Sequence, residues 1–119
     1  MVELTDGLLP VIGKTKETGT QINFSPDGEI FEKTRFKADW LKSRLHETAY
    51  LNPGLTIHYA NRRPGEEEEV LYHEPDGIVA YVKQLNAGKT PVHDPIYFKG
   101  TVDKVEVEAA IQFVDTFEE

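Results

Sequence analysis

The stretch Arg44-Leu45-His46-Glu47-Thr48-Ala49-Tyr50-Leu51-Asn52-Pro53-Gly54-Leu55-Thr56-Ile57-His58-Tyr59 changes its hydrophobic period partway along. From Lys37 to Leu51 the residues Leu41, Leu45, Thr48 and Ala49 recur at helical spacing, with Trp40 and Leu51 flanking the stripe. Lys42, Ser43 and Glu47 take the other face, so the spacing predicts a helix. Asp39 falls in its first turn, where the helix dipole favours a negative charge. Asn52-Pro53-Gly54 stops it, because proline cannot continue a helix and asparagine or glycine accepts a left-handed cap. From Leu55 to Tyr59 the period drops to two, the mark of a strand.

Working outward, Val70 to His73 is a second short strand, and the polar run Asn61 to Glu69, with Pro64-Gly65, reads as a charged hairpin tip. The consecutive glutamates Glu66 to Glu69 point to alternating faces of such a segment, so they are solvated rather than gathered on a metal. Asp76 is the expected N-cap of a second helix that buries Ile78, Val79, Val82 and Leu85, with Gly88 beyond its end. After a loop through Pro91 and Pro95, Ile96 to Gly100 and Val105 to Val114 form a hairpin around Asp103-Lys104. Val105, Val107, Ala109, Ile111 and Phe113 share one face of its second strand. On the N-terminal side, Thr20 to Ser25 alternates as a strand with Ile22 and Phe24 on one face, and Leu9 to Gly13 reads as an edge strand. Pro26-Asp27-Gly28 is a turn. The fold class is therefore α+β, with a mixed or antiparallel sheet, two principal helices and a closing β-hairpin. The chain stops just after that hairpin, which reads as the boundary of an excised segment.

Composition narrows the function classes. The 119 residues are 39% hydrophobic and 29% charged, ordinary for a globular chain and too apolar for intrinsic disorder. With no cysteine, disulfides and thiolate metal sites are excluded. No apolar run approaches the roughly 20 residues of a membrane span, and no signal pattern opens the chain, so the reading is cytoplasmic. Net charge is −8, with basic residues scattered apart from loose groups at Lys14/Lys16 and Lys33/Arg35/Lys37. A protein that grips duplex phosphates presents a basic face, so any link to DNA is indirect.

Local motifs supply no chemistry of their own. A zinc-protease helix needs a second histidine four residues after His46, and Tyr50 stands there. The four histidines His46, His58, His73 and His93 have no ligand spacing. Ser43 and His46 share a helix face but have no orienting acid or oxyanion hole. No phosphate-binding GxxxxGK[ST] loop and no GxGxxG fingerprint occurs.

Four segments read in order carry a resemblance. Ile12-Gly13-Lys14-Thr15-Lys16-Glu17-Thr18-Gly19-Thr20, then Ile22 to Asp27 and Glu29-Ile30-Phe31, resembles the IGxTxxTGTxxxFxPDxEIF stretch of the B (ATPase) subunits of bacterial type IIA DNA topoisomerases, DNA gyrase above all. Arg44 to Ile57 resembles their RLRELAFLNxGLxI helix and strand. Tyr72-His73-Glu74 with Gly77-Ile78, Tyr81-Val82 and Leu85-Asn86 is similar to FHYEGGIxxFVxYLN. Ile96-Tyr97-Phe98 and Val105 to Gln112 are similar to IYFxxxxxxxxVEVALQ. The four cover about residues 8 to 117. Two positions depart from the pattern: Val102-Asp103-Lys104 replaces a glycine-bearing turn, and Lys37 stands where an aspartate cap is common.

The resemblance implies a place and a function. Residues 1–76 resemble the C-terminal part of the ATP-binding domain of the gyrase, Hsp90, histidine-kinase and MutL fold. Residues 77–119 resemble a junction helix and the start of a transducer domain. The whole enzyme would change DNA topology, as in supercoiling, by ATP-driven duplex passage. ATP and Mg²⁺ would be its cofactors, and its partners the DNA-cleaving A subunit, a second B subunit and duplex DNA. The family's Mg²⁺ asparagine, general-base glutamate, adenine-reading aspartate and glycine-rich lid lie upstream of this stretch, and its phosphate-reaching transducer lysine lies downstream. Only Thr20 and Ile22 carry over as nucleotide-binding residues: the Thr20 hydroxyl at the adenine end, and Ile22 packed on the ring. No catalytic or metal-binding residue is expected in this chain, no bound cofactor, and no ATP hydrolysis by the chain alone. Edges left without neighbours, and an apolar face carrying Ile22, Phe24, Ile57 and Tyr59, imply self-association. The alternative reading is a free-standing acidic α+β interaction module without catalytic activity.

Overall fold

The computed structural model describes residues 10–116, which fall into two compact units, Met1–Arg35 and Phe36–Glu119.

Within the first unit, residues 10–35 contain no helix or strand. The expected turn is present. Asp27 O accepts from Ile30 N–H at 3.2 Å and from Phe31 N–H at 2.9 Å, and Asp27 Oδ1 accepts from Glu29 N–H at 2.9 Å. The strand expected over Thr20 to Ser25 is irregular here, and so are residues 10–13 of the expected edge strand; Leu9 lies outside the described residues. A strand is defined by a partner that fills its hydrogen-bond ladder, and alternation alone supplies none.

The second unit is built on α1, Ala38–Leu51. It begins at Lys37, whose side chain makes no capping bond, as expected where lysine stands for the usual aspartate. Its end is tied by Asn52, whose Nδ2 donates to Thr48 O at 2.8 Å. After Pro53-Gly54 come β1, Thr56–Asn61, and β2, Glu68–His73. They pair antiparallel with Thr56 opposite His73 and Asn61 opposite Glu68. Ile57, Tyr59, Val70 and Tyr72 are half-buried on the face that packs against α1, while alternate residues are exposed. Ile57 and Tyr59 are thus covered, contrary to the expectation of a bare face. Ile22 and Phe24 stay 76% and 73% exposed.

Helix α2, Ile78–Leu85, corrects the expected start: Gly77, not Asp76, is its N-cap. Gly77 has φ 56° and ψ −130°, a region that side-chain-bearing residues avoid. A Cβ there would lie 2.6 Å from Pro53 Cγ and 3.3 Å from Tyr50 O. Glycine therefore lets the start of α2 approach the end of α1 closely. The buried apolar side chains among the described residues are Ala49 and Tyr50, at the end of α1. Thr48, expected on the buried stripe, is exposed and donates its hydroxyl to Arg44 O at 2.9 Å. Leu85 is also exposed, whereas Ile78, Val79 and Val82 are half-buried.

The closing hairpin is β3, Ile96–Val102, and β4, Val105–Ile111. Val102 faces Val105 across a two-residue turn, in which Asp103 and Lys104 both take positive φ, 48° and 66°. This is the tight turn that suits the strand twist, built without glycine. The second strand ends at Ile111 rather than Val114. Beyond it the chain pairs irregularly with residues 90–93, through Val92 N–H to Phe113 O at 2.9 Å and Asp115 N–H to Thr90 O at 3.1 Å. The register puts Ile96, Phe98, Val102, Val105, Val107 and Ile111 on one face, each at least 45% exposed. Both sheets are two-stranded and antiparallel; no mixed sheet occurs among the described residues.

Candidate functional site

Thr20 and Ile22 lie two residues apart in the irregular segment of the first unit, both exposed. Just upstream, Thr15 Oγ1 accepts from Glu17 N–H at 3.0 Å, which bends the chain before Thr18-Gly19-Thr20. The Thr20 hydroxyl offers one donor and two lone pairs, and Ile22 offers an exposed apolar surface.

The polar concentration of the second unit lies where α1 crosses the first hairpin. His46, on α1, places Nε2 2.7 Å from Oε1 of Glu74, just past β2. Its ring stacks on Tyr50, centroids 4.4 Å apart, and on Tyr72, 4.8 Å. Tyr50 stacks in turn on Tyr81 of α2 at 4.9 Å with planes 13° apart. Four rings thus run from β2 across α1 to α2. Burial raises the Tyr50 phenol above its usual value, with the nearby Glu74 carboxylate adding to the effect. Burial likewise raises that of Tyr72.

One turn before His46, Lys42 Nζ sits 2.8 Å from Glu68 Oε1 and 3.4 Å from Asp39 Oδ1. Its pKa is raised, first by the hydrogen bond to Glu68. Lys42 thus turns toward β2 rather than taking the outer face expected of it. An open cleft of about 380 Å³ is lined by Asp39, Lys42, Ser43, His46, Glu68, Val70 and Tyr72. Its cation is engaged by two carboxylates and its imidazole by a third. The cleft is thus bordered by side-chain contacts that join α1 to the hairpin.

The other histidines occupy separate places. His58 Nε2 is 3.5 Å from Glu69 Oε2, and His73 Nδ1 is 3.2 Å from Thr56 Oγ1. Glu68 and Glu69 diverge to opposite faces, as strand alternation requires, and no three His, Asp or Glu side chains gather as a metal site among the described residues. The sequence reading missed the ring stack. Its available signal was the set of Tyr50, Tyr72 and Tyr81 around a helical histidine.

The α1–hairpin–α2–hairpin order defines an α+β module of the kind found in the ATPase region of gyrase B structures. The crystal structure of the B subunit of DNA gyrase from Myxococcus xanthus superposes with a TM-score of 0.67 at 33% identity, covering 76% of this chain and 26% of that one. The 43K ATPase domain of Thermus thermophilus gyrase B, solved with an aminocoumarin, gives 0.67 at 30% identity, covering 78% and 25%. Among curated proteins, the DNA gyrase B protein of Archaeoglobus fulgidus is 50% identical over 106 residues, 89% of this chain. The DNA topoisomerase 4 B protein of Staphylococcus epidermidis is 43% identical over 108 residues, 90% of this chain. The chain spans 16% of the length of each of these two relatives. No family model matches it. Over the segment it represents, the chain belongs to the family of DNA gyrase B and DNA topoisomerase 4 B subunits.

Proposed function

We propose that this chain is a segment of the ATP-hydrolysing subunit of a type IIA DNA topoisomerase, and that the whole enzyme couples ATP binding and hydrolysis to passage of one duplex through another. The similarity to gyrase B over nine-tenths of the chain carries this reading. On it, residues 1–76 belong to the ATP-binding domain and residues 77–119 begin the transducer. Both parts of that division contribute to the Phe36–Glu119 unit, where the Tyr50–Tyr81 stack spans the proposed boundary.

Thr20 and Ile22 contribute to the adenine end of the nucleotide pocket: the hydroxyl meets a polar ring edge or a bound water, and the isoleucine packs on the ring. ATP and Mg²⁺ are the cofactors of the whole enzyme. The described residues bring together no carboxylate set fitted to Mg²⁺, so no step through the metal is assigned to this chain. The partners are the DNA-cleaving A subunit, a second B subunit and duplex DNA. The net charge of −8 favours contact with DNA through those partners rather than directly. The site of action is the cytoplasm; among the described residues no helix is long and apolar enough to cross a membrane. By itself the chain associates with a second copy through the exposed apolar face of β3 and β4.

Calorimetric titration of ATP into a gyrase B protein containing this segment tests the nucleotide role. Thr20→Val keeps the shape and removes the hydroxyl, so affinity falls about five-fold, the worth of one neutral hydrogen bond of about 1 kcal/mol. Unchanged affinity removes Thr20 from the pocket.

A further inference from the structure

The chain after β4 is held to residues 90–93 by an arrangement in which a side chain stands in for the backbone. Phe113 N–H donates to Nε2 of His93 at 3.0 Å, where a regular ladder would offer a carbonyl oxygen. The other ring nitrogen, Nδ1, reaches the carbonyl oxygen of Asp94. These two contacts fix the tautomer, since a nitrogen that accepts carries no proton and one that faces a carbonyl must carry it. The His93 backbone is engaged too. Its carbonyl accepts from Gln112 Nε2 at 2.9 Å, and Gln112 Oε1 accepts from Asn86 Nδ2 at 2.9 Å, at the C-cap of α2. The ring meets Phe113 edge-on, centroids 5.5 Å apart. One histidine therefore joins the end of α2, the loop before β3 and the segment after β4.

We infer that His93 is a proton-sensitive clasp: neutral, it holds the segment after β4 against residues 90–93, and on taking up a proton it releases it. A protonated ring has two N–H donors and no acceptor, so Nε2–H meets Phe113 N–H head to head and that bond is lost. The charged groups on the segments packed here are Lys83 in the last turn of α2, Lys89 in the turn after it, Asp94 and Asp115. Asp115 is engaged, its Oδ1 accepting from Thr90 N–H at 3.3 Å, and Asp94 meets the ring through its main-chain carbonyl. Uptake of a proton therefore opens the clasp and its loss closes it. The Val92–Phe113 and Thr90–Asp115 bonds flank the ring and loosen with it.

The experiment is nuclear magnetic resonance on the full 119-residue chain. Long-range nitrogen–proton correlation at neutral pH should show His93 with its proton on Nδ1; a proton on Nε2 overturns the proposal without any mutation. Hydrogen exchange of the Phe113 amide, corrected for its intrinsic pH dependence, should lose roughly five-fold or more of its protection as the ring protonates, the scale of one hydrogen bond. His93→Gln keeps a side-chain acceptor at every pH and should flatten that dependence. Protection that does not change with pH in the unmodified chain, or a dependence that survives His93→Gln, contradicts the clasp.

Discussion

His46 Nε2 and Glu74 Oε1 lie 2.7 Å apart, linking the middle of α1 to the residue just past the first hairpin. Both side chains are part-buried, 33% and 25% exposed, so the contact is screened less than a surface pair. Glu74→Ala should lower stability by about 1 kcal/mol, seen as a lower urea midpoint with unchanged slope. The ring has a second role, its stacking on Tyr50 and Tyr72. His46→Phe keeps the stack and should cost less than His46→Ala by about 0.5–1.5 kcal/mol. Equal losses in the two variants would show that the stack contributes nothing.

Gly77→Ala tests the junction of the two helices. The new methyl meets Pro53 Cγ at 2.6 Å in a backbone conformation reserved for glycine. A loss of about 2–3 kcal/mol is expected from strain and overpacking together. Gly13→Ala, with nothing within 4 Å of the added Cβ, is the control and should stay within about 0.5 kcal/mol. Equal denaturation midpoints for the two variants contradict the close approach.

The alkaline limb of stability follows from five raised pKa values, those of Tyr50, Tyr72 and Lys42 together with Tyr97 and Lys99. Tyr97 and Lys99 are raised by their hydrogen bonds to Glu108 and Glu106, respectively. Tyr50 and Tyr72 are raised above 10.0 by burial, and Lys42 above 10.5 by its bond to Glu68. For a group raised on folding, the contribution is complete below the unfolded value and is lost as pH rises through the folded one. Unfolding should therefore begin above these ordinary values, in step with tyrosinate absorbance. Glu68→Gln should bring the Lys42 titration down toward 10.5. A Lys42 titration unmoved by Glu68→Gln, followed by magnetic resonance, contradicts the pairing.

The elements whose signal lies within a dozen or so residues were legible in the sequence. The period change at Asn52-Pro53-Gly54 defines α1 and β1, and the alternation after Asp103-Lys104 defines β4. What depends on distant partners was not. Ile22 and Phe24 alternate as a strand would, but among the described residues no neighbouring strand fills the ladder. Gly77, not Asp76, caps α2, and it lies against Pro53 in the turn after α1, a contact between segments that no local pattern carries. The His46–Glu74 contact joins residues 28 apart, beyond any local pattern. Thr20 and Ile22 came from the resemblance alone.

The apolar face of β3 and β4 leads to an association prediction. Phe98 and Val107, each about half exposed, should lie in the contact between two copies, so weight-average mass in sedimentation should rise with concentration. Phe98→Ser with Val107→Thr should abolish the rise while the helical signal persists. A monomer at every concentration and salt level would show that this face stays bare.

The family reading itself is tested most directly by a topology assay on a chimera. Residues 8–117 replace the matching segment in a gyrase B protein, and the chimera is combined with the gyrase A protein. Linking number is then followed with and without ATP. The account predicts ATP-dependent supercoiling by the chimera, together with no phosphate release from ATP by the 119-residue chain alone. A folded chimera that assembles with the gyrase A protein yet leaves linking number unchanged in ATP, or ATP turnover that stays with the repurified chain, contradicts it.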